Sequence, residues 1–315
     1  MTLFNASSIE EIQEVVSDSS LMQEGVLPIG NGTRLERHSS LSSPNHLLSL
    51  SGMNQILDLN PSEQTCVVES GVSAAALNAE SKKFGLELGV VSPCATNGTL
   101  GGLFLAGELS LATSLHGPPR DQVLGAEWML ADGTLVKSGG QVVKNVAGYD
   151  TTRLLLGSQG RLAICLSLCL RLKPISRHPQ WGLLSPEEPT PFDSTQNLDY
   201  LFQASSNSKI CFRADEASFT PEMKSHSCNE ALAQQELSST LKNFETSPFR
   251  YHSARVCDLN STAGPVDFLG KIQGAASLNV PLRATAFPRQ ELSPWLQKIQ
   301  EACAPNCSPF GGRIS

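Results

Sequence analysis

The sequence predicts an α+β fold in two lobes, on three observations. Its 315 residues exceed the length of one ordinary compact domain. Short apolar runs bounded by Ser, Gly, Asn and Pro alternate with stretches of helical periodicity. A segment rich in proline and acidic residues, 185–195, has the composition of an exposed connector.

The capping-box pattern Ser7-Ser8-Ile9-Glu10 opens a first helix, with Ile9, Ile12, Val15 and Val16 at helical spacing. The chain is thus expected to begin with a helix and pass to a strand at 25–29. Apolar runs at 47–50, 56–59 and 66–69 are too brief for helices and read as strands. Residues 73–84, rich in alanine and stopped by Gly85, read as a second helix. A strand at 123–130 runs into the turn Ala131-Asp132-Gly133-Thr134, whose Asp-Gly pair supplies hairpin chemistry for a returning strand at 135–137. The run 162–172 reads as a long central strand ended by Lys173-Pro174, because proline cannot donate to a ladder. These features divide the chain into lobes 1–175 and 176–315. Strands are expected in the second at 210–213, 249–256 and 280–287, and helices at 229–244 and from Ser293-Pro294-Trp295.

Composition narrows the function. Twenty-three basic against 30 acidic residues give a formal charge of -7, with no basic tract to follow a phosphate backbone, so nucleic acid is not expected as a partner. The first basic residue is Arg34, which removes the positive leader of a secretory signal and leads to a cytoplasmic expectation. The longest apolar run, 162–170, falls far short of the roughly 20 residues of a membrane-spanning helix. Nine cysteines include no CxxC pair. Cys165 and Cys169, and Cys303 and Cys307, lie four apart without nearby third and fourth ligands, so reduced thiols and no metal are expected.

Two glycine turns, Pro28-Ile29-Gly30-Asn31-Gly32-Thr33-Arg34 and Thr99-Leu100-Gly101-Gly102, can present backbone N–H groups to an anion. Gly30 and Gly32 lead into no apolar helical face, against a Rossmann fingerprint, and no Walker loop occurs. Five segments in order and spacing, PIGNGTR, VESGVSAAALN, SPCATNGTLGG, PPRDQVLGAEWMLADGTLV and KNVAGYDTTRLLLGSQGRLAI, carry a specific likeness. Over residues 1–175 the chain resembles the PCMH-type FAD-binding domain of the vanillyl-alcohol oxidase and p-cresol methylhydroxylase superfamily, and within it the FAD-binding subunits of bacterial three-subunit glycolate oxidases.

The resemblance implies two α+β subdomains holding FAD, followed by a smaller α+β cap or substrate lobe. It assigns Ile29, Gly30, Asn31, Gly32, Thr33 and Arg34, with Pro93, Thr99, Leu100, Gly101 and Gly102, to the cofactor, the turns gripping its pyrophosphate through main-chain amides. It puts Lys144, Asn145, Tyr149 and Asp150 toward the flavin and Gly160 and Ile164 beside the adenosine, and Asp121 is also assigned to the cofactor. Asn31 stands where a third glycine is usual, a mild departure because Asn tolerates the left-handed region. Tyr149 either contacts flavin or packs with its hydroxyl satisfied. Lys144 either offsets charge on the flavin or lies on a solvated edge. Arg120-Asp121 either fixes a loop over the cofactor or forms a local structural pair. Covalently linked relatives carry a histidine before the first turn. Its absence here implies non-covalent FAD, with His116 a loop residue.

Hydroxyacid-oxidising relatives supply a histidine cluster and a carboxylate-binding arginine from the second lobe, a base near neutral pKa removing the proton while hydride leaves for the flavin. Here His178, His226 and His252 are scattered, and Arg250, Arg255, Arg283, Arg289 and Arg313 offer no single choice, so no catalytic residue is assigned. The expectation is an FAD-containing subunit of a glycolate oxidase-type complex. It would help pass electrons from a small 2-hydroxy acid to an acceptor other than pyridine nucleotide. Its partners would be a second FAD-containing, hydroxyacid-oxidising subunit and an iron-sulfur subunit, the complex lying in the cytoplasm or on the membrane through those partners. Two alternatives stand: a catalytically silent scaffold, or a self-contained FAD oxidoreductase of another substrate, such as an enolpyruvyl ether, with Ser158 or Cys94 as proton donor.

Overall fold

The computed structural model describes residues 2–33, 45–90, 98–107, 119–140, 150–175, 177–185, 187–188, 198–203, 209–233 and 235–236. The strands expected at 249–256 and 280–287, the helix from Ser293 and most of the connector lie outside them.

Mixed α and β elements are present, but the chain opens on a strand, β1 (Thr2–Asn5), before helix α1 (Ile9–Ser17). Four residues are too few to display a period of two, and β1 is fixed by its parallel pairing with a strand some forty residues on. The cap of α1 falls one residue later than the sequence pattern placed it. Ser8 accepts from the Glu11 amide at 3.2 Å, and the Glu11 carboxylate accepts from the Ser7 amide at 2.6 Å. Ile12 and Val16 are buried beneath α1. A short α2 (Ser19–Glu24) ends at Gly25, whose φ of 97° turns the chain into β2 (Val26–Ile29). With β3 (His46–Ser49), these strands form a parallel sheet of order β1-β3-β2.

The second sheet is antiparallel, of order β4-β5-β9-β7-β8. It comprises β4 (Ile56–Asn60), β5 (Thr65–Glu69), β7 (Val123–Met129), β8 (Leu135–Gly139) and the central β9 (Ile164–Arg171). The β7–β8 hairpin turns as its Asp-Gly pair predicts: Gly133 has φ 81° and Asp132 accepts from the Thr134 amide at 2.9 Å. The helix expected at 73–84 is α3 (Ala74–Ser81), capped by Ser73 and finished by a 3₁₀ turn at Lys82–Phe84 with Gly85 at φ 69°.

The burial of β9 explains its continuous apolar run. Glu127 pairs with Ser167 but Trp128 with Cys165, so Leu166 is an extra residue. Such a bulge shifts the alternation of faces. Ile164 and Leu166 enter a core with Ile12, Val16, Val26 and Leu48. Cys165, Leu168 and Leu170 enter another with Leu77, Leu100, Phe104 and Trp128. One strand thereby floors both cores.

Lys173-Pro174 does not simply end the strand. As β10 it pairs with β6 (Leu86–Glu87) in a two-residue ladder, too short to need a donor from the proline in the middle of a sheet. Beyond it, β11 (Pro179–Leu184), β12 (Leu198–Gln203), β13 (Ile210–Asp215) and β14 (Ser227–Cys228) form an antiparallel sheet of order β12-β13-β11-β14. Thr220 caps a short α6 (Pro221–Lys224) before β14, the label α5 belonging to Thr151–Leu155 described below. Asn229 caps the helical residues 230–233, accepting from the Leu232 amide at 2.8 Å, and the expected face of Leu237, Leu241 and Phe244 lies outside the described residues.

A buried ion pair crosses from this sheet to β6. Arg213 donates to Glu87 at 2.6 Å, both residues being over 90% buried, and its guanidinium lies 5.4 Å from the ring centre of Trp181. Removing one member of such a pair costs far more than the pair is worth, because it leaves a charge in an apolar place. Glu87→Ala is therefore expected to lower stability in urea by about 3 kcal/mol. In E87A/R213M the two losses should fall well short of additive, a coupling read from the unfolding midpoints.

Candidate functional site: a glycine-walled crevice

The carboxyl ends of the parallel strands β2 and β3 feed the site, the usual place for a ligand where parallel strands stop. Beyond Ile29 the chain turns through Gly30-Asn31-Gly32-Thr33, with Gly32 at φ 71°. Opposite stands α4 (Leu100–Leu105), a helix where the sequence suggested only a turn. Thr99 caps it, its Oγ1 accepting from the Gly102 amide at 3.1 Å. Six residues containing two glycines carry too little helical pattern to be read without the cap.

The two turns meet at separations that exclude side chains. A Cβ on Gly30 would lie 2.1 Å from Thr99 Oγ1, and one on Gly101 would lie 2.7 Å from Ser70 Cβ. Gly160, at φ 75°, comes up beside Pro28, where a Cβ would be 3.1 Å from Pro28 Cγ. Between them runs a crevice open to solvent. Of the sequence-chosen residues, Ile29, Gly30, Asn31, Gly32, Thr33, Thr99, Gly101, Gly102 and Gly160 line it. Leu27, Leu50, Leu105 and Cys165 add apolar wall, and Pro28, Ser70, Ala106 and Gln159 complete it. Ser70 lies within VESGV between Glu69 and Gly71, and no signal in the sequence marks its hydroxyl.

The remaining sequence-chosen residues divide differently. Leu100 and Ile164 are fully buried in the two cores and support the walls without lining them. Asp121 and Asp150 do not line the crevice either: Arg153 lies 3.3 Å from Asp121 and 3.1 Å from Asp150. Asp150 also caps α5 (Thr151–Leu155), accepting from the Arg153 amide. Arg120 and Asp121 approach to 3.9 Å on the surface. Arg34, Pro93, Cys94, His116, Lys144, Asn145, Tyr149, His252 and the arginines from 250 onward lie outside the described residues. His178 and His226 sit near Asp215 and Glu188 rather than together.

The glycine amides are not equivalent. Leu100 donates to Val72 O at 2.7 Å, Gly101 to Ser70 O at 2.8 Å, and Gly102 to Thr99, so these N–H groups are spent within the protein. The amides of Gly30 and Gly32 make no hydrogen bond to any described residue. Ser70 Oγ is buried without a hydrogen-bond partner, and among the described residues no charged side chain lines the walls. Narrow glycine walls, neutral donors and an apolar floor fit a dinucleotide whose diphosphate is held by amides and hydroxyls. Arg161, next to Gly160, is 9% exposed with Nε unpartnered, and burial pulls its guanidinium below the ordinary value. Among the described residues no group of His, Cys, Asp and Glu could hold a metal ion.

Burial pushes the Cys66 thiol up to about 12 and raises Cys165 and Cys211 as well. A thiol so raised stays protonated at pH 8 and reacts poorly. Iodoacetamide mapping at pH 8 should leave these three unmodified until urea is added. Gly30→Ala forces its methyl into Thr99, and is expected to cost about 1–3 kcal/mol in urea unfolding while lowering affinity for the dinucleotide.

Residues 2–139 match the family described as FAD binding domain. The chain is 31% identical over 165 residues to glycolate oxidase subunit GlcD of Bacillus subtilis, covering 52% of this chain and 35% of that protein. It is 28% identical over 172 residues to the mitochondrial D-lactate dehydrogenase (cytochrome) of Arabidopsis thaliana, 54% of this chain and 30% of that one. A D-2-hydroxyglutarate dehydrogenase of Xanthomonas citri is 29% identical, at 52% and 35% coverage. The chain thus spans about a third of the length of these relatives. Among solved structures, alkyldihydroxyacetonephosphate synthase aligns over 58% of this chain and 34% of its own with a TM-score of 0.50 at 20% identity, a likeness of fold. Residues 2–139 are thus similar to an FAD binding domain, and FAD is the cofactor that this likeness supports.

Proposed function

We propose that this chain is the FAD-binding subunit of a glycolate oxidase-type system, supporting electron transfer from a 2-hydroxy acid such as glycolate or lactate to an acceptor other than pyridine nucleotide. The observation that carries the reading is the convergence of Gly30–Thr33, Thr99, Gly101, Gly102 and Gly160 on one crevice. Relatives that oxidise glycolate, D-lactate and D-2-hydroxyglutarate by their names support the substrate class. FAD, when held there non-covalently, supplies the two-electron acceptor chemistry. The residues of this chain would do the rest: Gly30 and Gly32 donate amides to the diphosphate, and Leu27, Leu50, Leu105 and Cys165 shelter the ligand from water.

The same reading divides the chain into an FAD-binding part, 1–175, and a cap or substrate part, 176–315. It gives the chain a second flavoprotein subunit that removes the substrate proton, and an iron-sulfur subunit. Among the described residues no helix is long and apolar enough to cross a membrane. The proposed location is the cytoplasm, with any membrane contact made by the partners. A silent scaffold is the second reading, motivated by the absence of any histidine, acid or base among the described lining residues.

Reconstitution separates these readings. The purified chain mixed with FAD and desalted should retain a flavin spectrum, and anaerobic glycolate or D-lactate should bleach it only when the partner subunits are present. A chain that stays colourless removes the cofactor role. Flavin that is retained but never bleached in the complex selects the scaffold, and full turnover by the chain alone removes the need for partners.

A further inference from the structure

The turn after β5 holds a polar group that the protein itself does not use. Ser70 is 2% exposed, and its backbone is fully engaged: the amide donates to Leu166 O at 2.9 Å and the carbonyl accepts from Gly101 at 2.8 Å. The neighbouring residues are equally fixed. Glu69 donates to Gln55 O at 2.9 Å and Gly71 to Met53 O at 2.7 Å, while a Cβ on Gly71 would lie 2.4 Å from Leu50 O. Ser70 Oγ alone is left, buried, without a hydrogen-bond partner, on a residue that lines the crevice.

A hydroxyl sealed from water and left unpaired is costly, and alanine at the same place would remove that cost without creating a clash. The group therefore makes physical sense if its partner arrives with the ligand. That partner must accept, because the surrounding lining already offers donors: the amides of Gly30 and Gly32, bonded to no described residue, and the Thr99 hydroxyl, whose oxygen accepts from Gly102. We propose that Ser70 is a ligand-binding residue whose hydroxyl donates to a phosphate oxygen of the dinucleotide diphosphate. This rests on the FAD reading above and adds a contact from the third wall of the crevice, between the Gly30 turn and Gly101. A hydroxyl-to-phosphate hydrogen bond is charge-assisted and among the stronger kinds.

The test compares wild-type protein with S70A by titration of FAD, ADP and riboflavin, together with the thermal midpoint of the ligand-free forms. Expected are an affinity for FAD and ADP about tenfold weaker in S70A, unchanged riboflavin binding, and a ligand-free midpoint equal to or above that of wild type. The last readout separates a lost ligand contact from a damaged fold. Equal affinity of both proteins for FAD and ADP overturns the inference. So does a loss seen with FAD and riboflavin but not ADP, which would move the contact to the ribityl chain. If wild-type protein binds neither FAD nor ADP, the functional reading itself falls and takes this contact with it.

Discussion

The site depends on backbone segments meeting closer than any side chain allows. Gly30 against Thr99 and Gly101 against Ser70 are two such approaches, and Gly160, at φ 75°, lies tight against Pro28, each bringing a different stretch of chain to the same crevice. Two cores press them together, one beneath the parallel sheet and one between the antiparallel sheet and the helices α3 and α4. The glycines contribute little to stability themselves, since glycine loses more entropy on folding than other residues. Apolar packing elsewhere offsets that loss, and the crevice is where the offset is used.

Much of this was legible in the residues. Strands at 26–29, 46–49, 56–60 and 65–69 stand within a residue or two of their apolar runs, and the Asp-Gly hairpin and the Gly85 stop appear where turn chemistry put them. The elements that escaped notice are short ones defined by distant partners: β1 by β3, β10 by β6. Local pattern holds no information about such pairings. For the crevice, the glycine motifs named the walls but not the hydrogen-bond accounting. That Gly101 and Gly102 spend their amides internally, while those of Gly30 and Gly32 meet no described residue, follows from the packing of α4 against the 70–73 turn. Asp121 and Asp150, acids near the motif in sequence, pair with Arg153 on the surface, a partnership that spacing along the chain does not reveal.

The ion pair between Glu87 and Arg213 ties the third sheet to the rest through a charge contact instead of apolar area. Its geometry is demanding, and Trp181 stacked on the guanidinium restricts it further. A contact of this kind specifies how two sheets sit more than it stabilises them, since apolar residues of similar volume would hold as well.

The bulge at Leu166 reaches further than strand geometry. The carbonyl of that extra residue is the one that anchors the Ser70 amide, so the crevice wall inherits its position from the alignment of β7 with β9. A sheet assembled one step out of alignment would still bury apolar side chains, but it would misplace the anchor. A nucleotide that binds only the correctly aligned form adds its binding energy to that form alone. Cofactor uptake would then act as a proofreader of the assembled sheet, rewarding the accurate fold over its near misses.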